Sequence, residues 1–491
     1  MSVIARQGFK YSLIGYFGFL LGAAATYFIF PRDYEFYGKL GFVLSYAMIL
    51  TPIVVFGVSF SNVKFYEIAK REGKHQNLLS ISLLFIAANY FFCLGLFFLF
   101  FYLFPQYKDS ELWNYKEFIL PLVLLLSLSA IFNKYITNFK RIVIPNIFEN
   151  IFPKLANIGA FSLFFFLGFS ENASFAFFIG MFVLAFIGYG IYANKLEKIN
   201  WNFNKDFLKK DKLYKQILNY SFYGFLGNIG NFVAIKIDTI MIGEYLNYKE
   251  TGIYNNLFAI ITLISIPQLG LYNISAPIIN KSFAENDMEE LNRFHKKTSL
   301  SLFFLGAVLF SCILVGFPYL ATLMPKKELI EYEPVIWIIG SATLLDLLTG
   351  FNGNIISMSK YYRFNILIMI ALAFLTVVLN LYFLKNTNLG IIGIAMATGI
   401  SLTLYNVVKL LFNYIKFKVH PLSIEMIYTS LICSIAITVV LFLPTFSNNF
   451  INLIYKPLSL LIIILIGNYF LKIFPIEQYL NIKFLKNMFK F

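Results

Sequence analysis

The sequence predicts an all-α polytopic membrane protein of about 14 transmembrane helices, arranged as two parallel six-helix repeats plus two C-terminal helices. Three observations carry that reading. Of the 491 residues, 59% are hydrophobic and only 13% charged, about half the charged fraction of a soluble globular domain, and mean hydropathy is +0.72. The apolar residues gather into runs near or above the roughly 17 to 25 residues that cross a bilayer. Finally, spaced residues of the first half return in the second at a nearly constant offset.

The runs fall at 9–30, 38–60, 78–104, 117–133, 142–168, 173–194, 217–243, 251–280, 298–324, 334–357, 364–384, 389–413, 424–444 and 457–471. The net charge of +15 would suggest nucleic acid in a soluble chain, but here topology explains it. With the amino terminus in the cytoplasm, inside segments hold 28 Lys/Arg and outside segments 9, while Lys154, Lys236 and Lys409 lie within spans. The positive-inside rule then places both termini in the cytoplasm, with membrane lipids as partners and no nucleic acid expected. Cys93, Cys312 and Cys433 each sit in an apolar run and read as small buried hydrophobes. His75, His295 and His420 read as polar-loop residues, so neither a metal site nor a cofactor is expected.

The first span follows Arg6 and Lys10 and continues through Tyr27 to Phe30. It is longer than the hydrophobic core of a secretory signal and reads as a retained helix. Pro52 should kink the second span unless neighbours satisfy the freed carbonyls. In the fifth, Asn146, Asn150, Lys154 and Asn157 recur at helical spacing, beside Glu149. That face is either the amphipathic cytoplasmic entry of the helix or a polar wall on a cavity. The loop from Lys195 to Gln216, with seven lysines, reads as a linker. The eighth span carries Pro267 and Pro277, which suggest a bend, with Tyr272 and Asn273 among its polar residues. The charged stretch from Lys281 to Lys297 predicts a short amphipathic helix. Asp346 stands near mid-membrane in the tenth span.

The repeat is visible as Tyr11-Ser12-x-x-Gly15-x-x-Gly18 and Tyr220-Ser221-x-x-Gly224-x-x-Gly227, and as Pro52 and Pro267. Phe132-Asn133 with Phe351-Asn352, Asn146 with Asn365, and Gly180 with Gly399 then share one offset. Six helices per repeat give both halves the same orientation, a parallel-repeat transporter architecture. The expected divisions are an N-terminal bundle at 1–195, a basic cytoplasmic linker at 196–216, a C-terminal bundle at 217–415, and two extra helices with a cytoplasmic tail at 416–491.

Lys236-Ile237-Asp238-Thr239-Ile240-Met241-Ile242-Gly243, then Glu250-Thr251-Gly252-Ile253-Tyr254, Pro267, Ala276-Pro277 and the charged stretch to Lys297 resemble the polysaccharide biosynthesis proteins. Asn365 and the run Gly390 to Gly399 fit as well. These are lipid-linked oligosaccharide flippases of the O-antigen (Wzx) type, in the multidrug/oligosaccharidyl-lipid/polysaccharide exporter superfamily. The resemblance implies a non-enzymatic transporter of the bacterial plasma (inner) membrane. It would carry an undecaprenyl-pyrophosphate-linked glycan across by alternating access, for lipopolysaccharide or other surface polysaccharide assembly, alongside other assembly proteins. It further implies a cationic central cavity, for which Arg6, Lys10, Lys154 and Lys236 are the candidates toward pyrophosphate. Asn228, Asn231, Tyr272 and Asn273 are candidates toward sugars. Glu149, Asp238 and Asp346 are candidates to bind a coupling H+ or Na+.

At about 100° per residue, Asn228, Asn231 and Asp238 fall within an arc of roughly 80°, whereas Lys236 points about 160° from Asp238. Lys236 either reaches a cavity from another side or snorkels to the headgroups. Two rival functions remain at this point. One is a multidrug or other lipid-linked precursor exporter of the same superfamily. The other is a membrane glycosyltransferase or polymerase using the Asp33/Glu35 pair.

Overall fold

The structure, a computed structural model, describes the backbone of residues 3–475 and the side chains of 14–475, apart from 211 and 269–274. All described secondary structure is helical. Among the described residues, eleven helices are long and apolar enough to cross a membrane. A twelfth is formed if Lys327–Thr349 and Asn352–Met358, which meet at a 49° bend, count as one span. Gly350 makes that bend, with φ +57 and ψ −128, a backbone region that residues with a side chain rarely enter.

The remaining two of the fourteen expected spans are broken by proline. The fifth runs as Val143–Asn146, a π turn at Ile147–Ile151 and a helix at Phe152–Phe165. The eighth runs as Tyr248–Ile261, a 3-10 turn at Thr262–Ser265 and a helix at Ile266–Glu285. Pro153 and Pro267 each stand in the first turn after the break, where a residue lacking N–H costs least. Pro52 acts differently. Its helix, Tyr34–Val55, stops shortly after it, and Phe56 and Gly57 turn the chain with φ 46 and 70. Asn89 Nδ2 donates to the carbonyls of Ile53 and Val54 over 3.0 and 2.8 Å, so the helix end is satisfied by a neighbouring span.

Two expectations are corrected. The charged stretch Lys281 to Lys297 is not a separate helix. Asn286 closes Ile266–Glu285 in the left-handed region, and Asp287 then caps Met288–Leu323 by accepting from Glu290 N at 2.8 Å. From Met288 the helix runs unbroken, so the charges after Asp287 become its first turns. His295 is accordingly no loop residue; it is fully buried on that helix.

Packing divides the chain into two compact units, Met1–Asn256 with Ile366–Ala397, and Leu257–Asn365 with Thr398–Phe491. In the first, Phe36, Leu40, Val43, Ile86, Ile119, Phe161 and Phe175 are buried in one apolar core. Phe36 stacks on Phe164 at 4.0 Å and Phe118 on Phe175 at 4.5 Å. The His75–Leu103 helix gives one face to this core, through Leu79, Leu83 and Ile86, and leaves Phe91, Phe92 and Tyr102 at least 64% exposed. A long apolar helix with its aromatics outside is suited to lipid, where its backbone is satisfied internally. In the second unit, Phe304, Val315, Ala436, Leu460 and Ile464 form the core. There Lys456, only 2% exposed, donates to the carbonyls of Val440 and Leu443 over 2.8 and 2.7 Å. A buried ammonium thus caps the end of Ile424–Phe442 and ties it to Asn449–Leu471.

Candidate functional site

The first polar cluster forms around Leu213–Tyr245. Asp238, near its end, is 3% exposed. The chain reverses at Leu246 and Asn247, which brings Tyr254 of the next helix alongside. Tyr254 Oη donates to Asp238 Oδ2 over 2.5 Å, and Asn380 Nδ2, from Tyr362–Asn386, donates to Oδ1 over 2.8 Å. A buried carboxylate is costly unless its oxygens are hydrogen-bonded, and here a phenol and an amide bond one oxygen each. The polar seam continues through Thr239 Oγ1, which donates to Asn255 Oδ1 at 2.8 Å. Asn256 Nδ2 donates to the Thr26 carbonyl at 2.8 Å. Asn256 Oδ1 and Asn380 Oδ1 are buried with no hydrogen bond among the described residues.

The same end of the helix carrying Asp238 is held by Glu244. Its carboxylate accepts from Tyr46 Oη at 2.7 Å and from the backbone N–H of Glu111 and Leu112 at 3.1 and 3.0 Å. A carboxylate on those free N–H groups caps the Glu111–Asn114 turn.

Asn228 and Asn231 share a helix face with Asp238 but not its surroundings. Asp238 is buried, Asn228 half-buried and Asn231 exposed. Lys236 is half-buried; among the described residues neither it nor the two asparagines makes a hydrogen bond or ion pair. Lys154 donates to the Gly18 carbonyl over 2.7 Å and lies along Gly18 and Gly22 of the first helix. The polar residues around it bond locally: Asn150 donates to Asn146, and Asn157 to the Pro153 carbonyl at 2.8 Å. Glu149 is exposed and accepts from Asn133 Nδ2 at 3.1 Å. Arg6, Lys10, Tyr272 and Asn273 lie outside the residues whose side chains are described.

The second cluster lies in the other unit. Asp346 Oδ1 stands 3.7 Å from Lys409 Nζ, with the carboxylate side chain 36% exposed and the lysine side chain 7%. The ammonium also lies 4.1 Å from the Tyr405 ring centroid. Nearby, the buried His295 Nε2 lies 3.0 Å from Asn352 Oδ1, and Asn413 Nδ2 donates to that oxygen at 2.7 Å and to the Asn352 carbonyl at 3.1 Å. These contacts hold the short helix that follows the Gly350 bend.

Tyr254, Asn380 and Lys409 complete these clusters and were not among the site candidates drawn from sequence, although Tyr254 falls in the family-like run and Lys409 within a span. Sequence spacing gives no sign of a partner on another helix.

The helical fold is similar to that of solved polytopic membrane proteins. It matches the inward closed structure of the lipid II flippase MurJ, with TM-score 0.67 and 17% identity over 96% of this chain and 98% of that one. It also matches an inward-facing multidrug resistance transporter of the MATE family and MOP superfamily, with TM-score 0.62 and 12% identity over 82% and 94%. At such identities the likeness is one of fold. The sequence itself goes further, since residues 33–283 match the family model for polysaccharide biosynthesis proteins. The chain belongs to that family. No curated protein is similar to it in sequence.

Proposed function

We propose that this protein is a flippase that moves a polyprenyl-pyrophosphate-linked oligosaccharide across the bacterial plasma membrane for O-antigen or similar surface polysaccharide assembly. Family membership over residues 33–283 carries the reading. The fold shared with a protein described as a lipid II flippase supports it, as do ionisable groups buried on membrane-length helices. A diphosphate with sugars cannot cross hydrocarbon unaided, whereas its polyprenyl tail stays in lipid. Alternating access then needs only to shelter the head group. Within this reading the two six-helix repeats, rather than catalytic residues, do the work, and the charge bias keeps both termini in the cytoplasm.

Asp238 is our choice for the coupling-ion site. It is a buried carboxylate bonded by Tyr254 and Asn380, able to take up H+ or Na+, and any change in its occupancy would be felt by three helices. Glu149 and Asp346 are the alternatives, the first exposed and the second beside Lys409. Asp33 argues against the glycosyltransferase reading, because it accepts from Phe36 N at 3.0 Å as the cap of Tyr34–Val55. Glu35 sits 3.5 Å from Lys39. Gene deletion tests the proposal: lipid-linked glycan should accumulate on the cytoplasmic face and surface glycan should disappear, both restored by the wild-type gene. Normal surface glycan in the deletion strain would refute it.

A further inference from the structure

We propose that Lys409 binds a phosphate of the transported lipid and that Asp346 occupies Lys409 when substrate is absent. The inference rests on the lipid-linked reading above and adds to it a specific anion site within the Leu257–Asn365 and Thr398–Phe491 unit.

Lys409 is 6% exposed on Gly390–Phe417. A hydrogen bond from ammonium to carboxylate spans about 2.7 to 2.9 Å. Asp346 Oδ1, at 3.7 Å, attracts the charge without making that bond. Among the described residues no acceptor lies within hydrogen-bond distance of Nζ, so on this nearly buried side chain the three donors find no partner in the protein. The Tyr405 face, 4.1 Å away, offsets part of the charge but accepts none of the protons. An ammonium in that state is costly to bury and is poised for an acceptor richer in oxygen than a distant carboxylate. A phosphate or diphosphate supplies one.

The two partners differ in the way an exchange requires. Lys409 is deep, whereas Asp346 is more than a third exposed and can swing away without entering apolar surroundings. Beside the ammonium there is space for at least one added methyl group. At Gly353 an added Cβ would lie 3.9 Å from Lys409 Cδ, 4.0 Å from Nζ and 3.9 Å from Asn365 Oδ1, with no clash. Asn365 adds a second preference. Its Nδ2 donates to Ser357 Oγ over 2.8 Å, while its buried Oδ1 accepts nothing among the described residues. A bare phosphate has no proton to offer that oxygen, but a sugar hydroxyl does. A donor for phosphate next to an acceptor for hydroxyl is the chemistry of a sugar linked through phosphate. Return of Asp346 to Lys409 would expel the anion without leaving a buried ammonium unneutralised.

The test uses the full-length protein in phosphatidylcholine nanodiscs, with farnesyl diphosphate as probe and farnesol as its uncharged control. Wild type should prefer the diphosphate. Lys409→Gln should weaken diphosphate binding by about tenfold or more, and Lys409→Arg should retain it. Asp346→Asn should tighten it by about three- to tenfold, because a competitor is removed. A misfolded variant cannot produce that gain. Equal diphosphate affinity in wild type and Lys409→Gln, or weaker binding in Asp346→Asn, would overturn the inference alone. Wild type that ignores the diphosphate would overturn the lipid-linked reading with it. Displacement of the probe by added phosphatidylglycerol at equimolar amounts would assign Lys409 to ordinary lipid headgroups and overturn its substrate role.

Discussion

Tyr254 donates its phenolic proton to Asp238 across 2.5 Å, 16 residues along the chain and on the next helix. The pair joins two helices through a carboxylate that is 3% exposed, and Asn380 supplies the other oxygen's bond. Tyr254→Phe should therefore cost about 1–3 kcal/mol of stability, the penalty for a buried charged group losing a donor, read as a lower melting temperature in detergent. Asp238→Asn should fold yet fail to restore surface glycan in a deletion strain, since an amide cannot gain and lose a cation. Full complementation by Asp238→Asn would remove this residue from coupling.

Gly57 combines a φ of +70 with a site where any Cβ would collide with the Ser221 carbonyl. Gly73 has a similar φ of +66 but open space around it. Gly57→Ala should destabilise by about 2 kcal/mol or more through strain and collision, and Gly73→Ala by about 1 kcal/mol through strain alone. Paired thermal melts check this. Equal losses would mean that the close approach of Ser221 has no energetic weight.

Glu197 gives stability a pH dependence. It accepts from Tyr135 Oη at 2.9 Å and lies 2.7 Å from His75 Nε2. Burial pushes its carboxyl up, but the bonds from His75 and Tyr135 outweigh burial and hold it below the ordinary carboxylate value. The folded protein therefore keeps Glu197 ionised at pH values where the unfolded chain has taken up a proton. Its contribution is complete above the unfolded value and is lost as pH falls through the lowered folded one. Melting curves of wild type and Glu197→Gln should differ by a constant amount above about pH 5 and converge as the pH falls through the lowered folded value. A difference that persists undiminished in acid would contradict the assignment.

Asp33 and Glu35 should be dispensable for transport. As a helix cap, Asp33 is worth about 1 kcal/mol, and the exposed Glu35 pair with Lys39 very little. The double Ala variant should melt slightly lower and complement fully. Loss of surface glycan at normal expression would revive a catalytic role for this loop.

Much of the fold was legible because bilayer crossing imposes length and apolarity on each span, and the positions of most helices follow from that alone. The breaks were partly legible. Pro52, Pro267 and Pro277 announced trouble in their spans, but whether proline bends, ends or restarts a helix depends on neighbours such as Asn89 reaching Ile53 and Val54. The charged stretch after Lys281 was misread because its composition suits a surface helix, while the Asp287 cap makes it the start of a longer one. In the candidate site, helix geometry correctly separates Lys236 from Asp238, but it also groups Asn231 with Asp238, and the structure leaves one exposed and buries the other. A helical wheel gives direction around one axis; burial depends on which neighbour lies there. Tyr254, Asn380 and Lys409 are contributed by other helices, and single-sequence periodicity holds no record of such pairings.

The central claim is that the protein moves a lipid-linked oligosaccharide from one leaflet to the other. Reconstitution in vesicles holding a fluorescent polyprenyl-diphosphate oligosaccharide in both leaflets, followed by a membrane-impermeant quencher, measures this directly. Wild-type vesicles under an imposed ion gradient should lose the signal of both leaflets, whereas protein-free vesicles and Asp238→Asn vesicles should keep the inner-leaflet signal. Retention of the inner-leaflet signal by wild type, together with uptake of an organic cation by the same vesicles, would contradict the flippase reading and favour a drug exporter.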